Sequence, residues 1–204
     1  MNLLLFDFDG VLVESFDVYY EIVRATLEKI NQPLQRGREE FLELFAGNFY
    51  ESLTRRGVDL NEFFTASADK LADVQHHDMK PVAAMIPVVE ELRRNNILVV
   101  ISSNDSRTIS PALAVFGYHD SFQEVLGSDF HISKKEKILH AVNKYRIAPV
   151  DTYYIGDTAG DIQEGRQAGI KTIGVTWGWH DADKIAQEQP DFLFTEPEEL
   201  LQLR

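Results

Sequence analysis

The chain has 204 residues, of which 44% are hydrophobic, and its formal net charge at pH 7 is −13. This composition excludes a disordered chain, and the length allows one good core or a core with a small insertion. The negative charge argues against general electrostatic binding to nucleic acid or anionic membranes, and the absence of cysteine excludes disulfides and thiolate chemistry.

The first stretch of the chain combines a predicted strand with two closely spaced carboxylates. Residues 3–6 are all apolar and predict a buried strand, and Asp7 and Asp9 follow it, with Gly10 next. Open parallel sheets place their ligands at the carboxyl ends of strands. Two neighbouring carboxylates repel each other, and a hard cation such as Mg²⁺ would compensate their charge. The alternative is an ordinary acidic turn after a strand.

Residues 16–80 predict helices only. Apolar residues recur at helical spacing over 16–30, 38–45, 49–56 and 60–74, and this region has no strong strand pattern. We therefore expect an all-helical insertion placed directly after the first strand.

From residue 81 onward the pattern changes to alternating strands and helices. Strands are predicted at 97–101, 124–126, 152–155, 172–176 and 192–194. Helices are predicted at 87–95, 110–116, 135–145, 162–168, 183–188 and 196–203. Such alternation predicts a parallel sheet with right-handed crossovers. The expected fold class is α/β, with a Rossmann-like core formed by 1–15 and 81–204 and a helical insertion at 16–80.

Polar residues follow several of the predicted strands, so they should meet at one edge of the sheet. They are the Asp7 and Asp9 pair, Ser102, a lysine among residues 134–137, and the pair Asp157 and Asp161. Such a set suits phosphoryl transfer, in which positioning and charge stabilisation do most of the work. Each piece also has a simpler interpretation: a polar strand end, a solvated helix face or a helix N-cap.

Each member of this set has an expected role. Asp7 would attack phosphorus, and Asp9 would act as general acid and then general base. Ser102 would donate a hydrogen bond to a phosphate oxygen, and the lysine would neutralise developing charge. The expected Mg²⁺ ligands are Asp7, Asp9, Asp157 and Asp161.

The order of these motifs resembles that of the haloacid dehalogenase-like hydrolase superfamily, in its phosphatase branch with a helical C1-type cap. In this chain, DFDGVLVES is similar to the first motif of the family, ILVVISSND to the second and YYIGDTAGDI to the fourth. The resemblance covers nearly the full chain and implies the roles given above for Asp7, Asp9, Ser102, Asp157 and Asp161.

The third motif departs from the family pattern. Many members have Lys-Pro here, whereas this chain has HISKKEKILHAV. We assign the functional lysine to Lys134, because it best precedes a helix that starts near Glu136. Lys135 is the alternative, and Lys137 is a more remote one.

The resemblance also implies that residues 16–80 form a cap that closes over the active site and selects the substrate. The segment FAGNFY resembles the cap loop that faces the catalytic site, which makes Gly47 and Asn48 candidates for substrate binding. An ordinary helix–helix turn is the alternative. Gly10, Ser103 and Asn104 are candidates for phosphate binding.

Four basic residues of the insertion could reach an anionic substrate, although each is also explained as surface charge. They are Arg55, Arg56, His76 and His77.

We therefore expect a Mg²⁺-dependent phosphatase that acts on a small phosphorylated metabolite through an aspartyl phosphate. A phosphoglycolate-type ester is one candidate substrate, because the IGDT and VTWG stretches are similar in that branch. The alternatives are a phosphomutase of the same fold and, less well matched, a receiver-like or non-catalytic phosphate-binding module.

No apolar run approaches the roughly 18 residues of a membrane span, and the N-terminus lacks the pattern of a signal peptide. We therefore expect a cytoplasmic protein with neither a membrane nor a nucleic-acid partner. The sequence carries no signal for an oligomeric state.

Overall fold

The computed structural model describes residues 1–73, 78–118 and 120–203. Its strands are β1 (Leu3–Phe6), β2 (Val13–Glu14), β3 (Lys80–Pro81), β4 (Ile97–Ile101), β5 (Glu124–Leu126), β6 (Thr152–Gly156), β7 (Lys171–Val175) and β8 (Phe192–Phe194). Its α-helices are α1 (Phe16–Lys29), α2 (Arg38–Glu43), α3 (Phe49–Arg55), α4 (Leu60–Asp73), α5 (Met85–Leu92), α6 (Ser106–Val115), α7 (Lys134–Tyr145), α8 (Ala159–Gln167) and α9 (Ala182–Gln187). Short 3₁₀ helices occupy Pro149–Asp151 and Pro197–Leu203. No helix in these ranges is long and apolar enough to cross a membrane.

Six of the described strands form one sheet in the order β5-β4-β1-β6-β7-β8, and all of its pairings are parallel. This confirms the predicted α/β class. Strand β1 lies between β4 and β6, so the residues that follow these three strands are neighbours at one edge of the sheet.

Strand β1 is buried on both faces, which explains why its sequence is apolar throughout instead of alternating. Leu4 and Phe6 pack on one side, in the cluster that includes the helices of the insertion, whereas Leu3 and Leu5 pack on the other side with Ile138 of α7. All four strand residues are fully buried. Each such side chain contributes about 1.5–3 kcal/mol through removal from water.

Helix α6 starts earlier than the sequence pattern predicts. We expected its start at Ser110, but the helix begins at Ser106, because the carboxylate of Asp105 caps it by accepting a hydrogen bond from Arg107 N at 2.8 Å. Pro111 therefore lies inside the helix. The last predicted helix is a 3₁₀ helix over Pro197–Leu203.

Helices α1–α4 lie between β2 and β3, which pair antiparallel, with Val13 opposite Pro81 and Glu14 opposite Lys80. The chain therefore leaves the core and returns to it side by side. Two residues per strand are too few to give a periodic signal, so the sequence pattern did not predict this ribbon. The predicted end of α4 at Val74 lies outside the described residues.

The loop after α2 docks on the N-terminus of α8. Gly160 N donates to Phe45 O at 2.9 Å, and Gln163 Nε2 donates to Ala46 O at 3.0 Å. A Cβ atom on Gly160 would collide with the carbonyl group of Gly47, so this close approach requires glycine. The helical insertion is thus seated on the core in this structure.

His180 adds a second link between the insertion and the core. Its Nδ1 accepts from Ala159 N at 3.0 Å, and its Nε2 donates to Leu42 O, also at 3.0 Å. This pair of contacts requires the neutral imidazole with its proton on Nε2. Burial lowers the pKa of His180, which favours the same neutral form.

Acid should weaken this link. The unfolded chain binds a proton at His180 below about pH 6.5, whereas the buried imidazole resists protonation, so stability falls as the pH drops through that range. We expect the wild-type chain to lose more free energy of unfolding than His180→Gln between about pH 7.5 and 5.5, with a difference of up to about 1.4 kcal/mol per unit of pKa shift. Urea denaturation at both pH values measures this. Equal losses in the two proteins would contradict it.

Candidate active site

A cavity of about 580 Å³ lies between the helical insertion and the sheet edge that carries the predicted site. Asp7 follows β1, Ser103 and Asn104 follow β4, and Asp157 follows β6; all four line the cavity. Lys134, the first residue of α7, lines it as well. The structure therefore brings together residues that are up to 150 positions apart in the chain.

Lys134 is held between two carboxylates. Its Nζ donates to Asp7 Oδ2 at 2.7 Å and to Asp161 Oδ1 at 2.6 Å, and all three side chains are buried. Burial acts to lower the pKa of Lys134, but the carboxylates of Asp161 and Asp7 outweigh it and hold that pKa well above its usual range. Lys134 is therefore a fixed positive charge at the Asp7 carboxylate.

The start of α7 decides which lysine reaches Asp7. Ser133 caps the helix by accepting from Glu136 N at 3.4 Å, so Lys134 occupies the first helical position. Lys135 is the next residue, and its side chain is 39% exposed and faces Glu136 at 4.0 Å. The structure thus brings Lys134, and not Lys135, to Asp7.

Asp7 itself carries a charge that the surroundings only partly compensate. Its Oδ1 accepts from Phe8 N at 2.8 Å, and its Oδ2 accepts from Lys134. Burial raises the pKa of Asp7 to about 7, even though the positive charge of Lys134 acts to lower it. A further positive charge at this position would favour the ionised carboxylate.

Asp157 provides the clearest test of whether these residues fit a metal ion. Its Oδ2 accepts from Trp179 N at 2.6 Å, but its Oδ1 is buried and has no hydrogen-bond partner among the described residues. One oxygen atom each of Asp7, Asp157 and Asp161 lies within 4.8 Å of the others. Burial, followed by the charges of Asp161 and Asp7, raises the pKa of Asp157 well above its usual range. Three carboxylates with convergent oxygen atoms, together with an unpartnered oxygen atom on one of them, fit a hard divalent cation such as Mg²⁺.

Two glycines make room for Asp157. A Cβ atom on Gly10 or on Gly178 would collide with the Asp157 side chain. Gly10 also has a φ of +74°, which side-chain-bearing residues rarely adopt. The place of Gly10 in the motif is therefore explained by the close packing of Asp157.

Asp9 lines the cavity but stands apart from the three-carboxylate cluster. Its Oδ1 accepts from Ser15 Oγ at 2.6 Å, and its Oδ2 accepts from Asn104 Nδ2. Burial raises the pKa of Asp9 to about 6, although these hydrogen bonds and Lys134 act to lower it. Although the sequence analysis expected Asp9 among the metal ligands, its carboxylate is not part of the cluster formed by Asp7, Asp157 and Asp161.

The loop after β4 is braced from two sides. Ser102 is fully buried; its Oγ accepts from Asn104 N at 3.0 Å and its carbonyl oxygen accepts from Lys137 Nζ. The carbonyl oxygen of Ser103 accepts from Tyr50 Oη of α3 at 2.7 Å. This loop therefore connects the core to the helical insertion.

Lys137 is a buried second lysine to which the sequence analysis gave little weight. It is fully buried, and burial followed by repulsion from Lys134 lowers its pKa to about 7. The signal that could have found it is the spacing of three residues, which puts Lys134 and Lys137 on one face of α7.

Gly47 and Asn48, the two residues of the helical insertion expected to bind substrate, are not among the described residues that line the cavity. Asn48 caps α3, accepting from Tyr50 N and Glu51 N at 3.1 Å, and its amide donates to Glu164. Gly47 lies in the loop that docks on α8. Both residues join the insertion to the core.

The basic residues of the insertion have other contacts. Arg56 pairs with Glu40, and Arg55 donates to Ser52 Oγ at 2.9 Å. His76 and His77 lie outside the described residues.

Comparisons with known proteins agree on one family. A family model described as haloacid dehalogenase-like hydrolase matches residues 4–175. A phosphoglycolate phosphatase from Synechococcus elongatus is 27% identical over 99% of this chain and 96% of its own length. The pyrophosphatase PpaX from Bacillus pumilus is 24% identical over 98% of this chain and 95% of its own length. The structure of SP0104, a haloacid dehalogenase-like family hydrolase from Streptococcus pneumoniae, superposes with a TM-score of 0.82, at 21% identity, over 99% of this chain and 97% of that one.

Because Lys134 lies between two buried carboxylates, its replacement should lower the free energy of unfolding much more than replacement of the adjacent Lys135. Lys134→Met leaves Asp7 and Asp161 buried together without their cation, so we expect its free energy of unfolding to fall by about 3–5 kcal/mol. Lys135→Met changes a partly exposed side chain and should stay within about 0.5 kcal/mol of the wild type. Urea denaturation without added divalent metal measures both. A larger loss for Lys135→Met would contradict the placement of Lys134.

Proposed function

The chain belongs to the haloacid dehalogenase-like hydrolase family, and we propose that it is a Mg²⁺-dependent phosphatase that hydrolyses a small phosphate monoester through an aspartyl phosphate on Asp7. The relatives that match over nearly their full length include phosphatases, which supports phosphate transfer to water as the reaction class. The observation that carries the proposal is the buried Asp7–Lys134 pair, with Asp9 beside it on the same cavity.

In the first half of the reaction, an oxygen atom of the Asp7 carboxylate forms a bond to phosphorus, and the bond from phosphorus to the ester oxygen breaks. Asp9 gives its proton to the departing alcohol oxygen. Lys134 restrains Asp7 in position and offsets the negative charge that accumulates around the phosphoryl group. The products of this half are the free alcohol and a phosphorylated Asp7.

In the second half, Asp9 takes a proton from a water molecule whose oxygen bonds to phosphorus. The bond between phosphorus and Asp7 then breaks, which releases inorganic phosphate and restores the Asp7 carboxylate. The hydrogen bonds from Ser15 and Asn104 hold the Asp9 carboxylate in one orientation for both proton transfers.

The loop after β4 is proposed to hold the phosphoryl oxygens, with Ser102, Ser103 and Asn104 as its contributors. The contacts from Lys137 and Tyr50 fix the carbonyl groups of this loop. Gly10 serves this site indirectly, through the room that it leaves for Asp157.

Asp7, Asp157 and Asp161 would hold the Mg²⁺ ion. When bound, the ion supplies positive charge to the phosphoryl oxygens and to the carboxylate cluster. The unpartnered Asp157 Oδ1 is the observation from this structure that supports this ligand set.

Removal of the nucleophile should abolish turnover. We expect Asp7→Asn to lower the rate of phosphate release from 4-nitrophenyl phosphate with Mg²⁺ by more than about a thousandfold. Asp9→Asn should lower it by about a hundredfold or more, since general acid–base groups contribute at that scale. The exposed Asp151→Asn is the matched control and should keep the wild-type rate. Turnover retained by Asp7→Asn would exclude the aspartyl phosphate.

The metal site has a test that does not depend on activity. A cation that binds only the folded chain raises its melting temperature, by an amount that grows with concentration. We expect Mg²⁺ to raise the melting temperature of the wild type and of Asp151→Asn, but not that of Asp157→Asn. A thermal shift series with increasing MgCl₂ measures this. An undiminished shift in Asp157→Asn would rule out Asp157 as a ligand.

A further inference from the structure

The cavity above Asp7 has two chemically different halves. The carboxyl edge of the sheet supplies its polar floor, whereas helices α1, α3 and α4 supply a wall that is largely apolar and aromatic. The wall includes Ile22, Val23, Phe49, Phe63 and Leu71. The phosphoryl group belongs at the floor, so the organic group of the substrate must lie against this wall.

The wall offers little to a second negative charge. Within the described residues, the cationic side chains that line the cavity are Lys134 and Arg107. Lys134 is already bonded to two carboxylates. The side chain of Arg107 is 85% exposed and forms two hydrogen bonds with Asp105, with Nε at 2.9 Å and Nη2 at 2.6 Å from its oxygens. A carboxylate or second phosphate that entered the cavity would lose its hydration without gaining a paired cation.

The wall does match an aromatic ring. Phe45 and Phe49 stack with centroids 4.9 Å apart and an interplanar angle of 15°, and Phe63 and Tyr50 pack edge-on against Phe49. Aromatic rings favour such offset and edge-to-face contacts with one another. The cavity of about 580 Å³ also falls in the range of roughly 300–1,000 Å³ that holds drug-sized ligands, which is more room than a phosphoglycolate or pyrophosphate ion fills.

We propose that the substrate is a phosphate monoester whose organic group is uncharged and carries an aromatic ring, and that phosphoglycolate and pyrophosphate are poor substrates. This inference rests on the proposed function. The proposed substrate thus differs from those for which the relatives are named, phosphoglycolate and pyrophosphate. The observation behind this inference is the apolar and aromatic wall that the helical insertion contributes to the cavity.

The test compares esters with similar departing oxygens. Benzyl phosphate, 3-phenylpropyl phosphate and 2-phosphoglycolate are all monoesters of primary alcohols, so differences in kcat/KM report chiefly on the organic group; inorganic pyrophosphate completes the set. We expect one of the two aromatic esters to exceed both phosphoglycolate and pyrophosphate by at least tenfold in kcat/KM with Mg²⁺. Phosphoglycolate or pyrophosphate at or above the aromatic esters overturns this inference and leaves the phosphatase proposal in place. If phosphate is released neither from these four compounds nor from 4-nitrophenyl phosphate, both this inference and the proposed function are wrong.

A variant of the wall provides the second test. Phe64 lines the cavity and is 38% exposed, so a lysine there can keep its ammonium group in water. We expect Phe64→Lys to lower the ratio of kcat/KM for benzyl phosphate over phosphoglycolate by at least tenfold. Phe130→Lys is the matched control, because Phe130 is also exposed, lies in the loop before α7 and is not among the residues that line the cavity. This variant should keep the wild-type ratio.

An unchanged ratio in Phe64→Lys, with a melting temperature near that of the wild type, would show that the organic group does not contact this wall and would overturn the inference. If the variant fails to fold, the comparison of esters on the wild-type chain decides the question alone.

Discussion

The site depends on one buried ion network, in which the ammonium group of Lys134 lies between the carboxylates of Asp7 and Asp161. Burial of either carboxylate without a cation would be costly, and burial of the lysine without both would be as well. The network therefore requires the end of β1, the start of α7 and the start of α8 to meet at one point. Its two negative charges and one positive charge leave a net negative site that suits a divalent cation, which the unpartnered oxygen of Asp157 supports.

The helical insertion both docks on the core and lines the cavity. Polar contacts seat it on the core, through the backbone of Phe45, the amide of Asn48 and the carbonyl group of Leu42. Apolar and aromatic side chains from its inner face line the cavity. Wall residues such as Ile22, Val23 and Phe63 make none of these polar contacts with the core, so their side chains can vary in chemistry without loss of the seating contacts.

The sequence predicted the sheet and the carboxylate positions well, because fully apolar runs followed by polar residues are distinctive in a parallel sheet. Asp7 and Asp157 were found in this way. Lys134 was found from the expected start of a helix, although its Ser133 cap was not recognised. Lys137 was underestimated because helical spacing shows a shared face but not which face is buried. The assignments of Gly47 and Asn48 came from family resemblance alone, and the contacts that hold them at α8 depend on tertiary structure that no local pattern reports.

The β2–β3 ribbon has a consequence for how the insertion and the chemistry are connected. Both chain crossings run through this one narrow strip, so any swing of helices α1–α4 has a single pivot. Ser15 stands at that pivot, directly after β2, and its hydroxyl group holds Asp9. A rotation of the helices away from the core would displace Ser15, which donates a hydrogen bond to Asp9, the proposed proton donor. The orientation of the helical insertion would then affect the orientation of the Asp9 carboxylate.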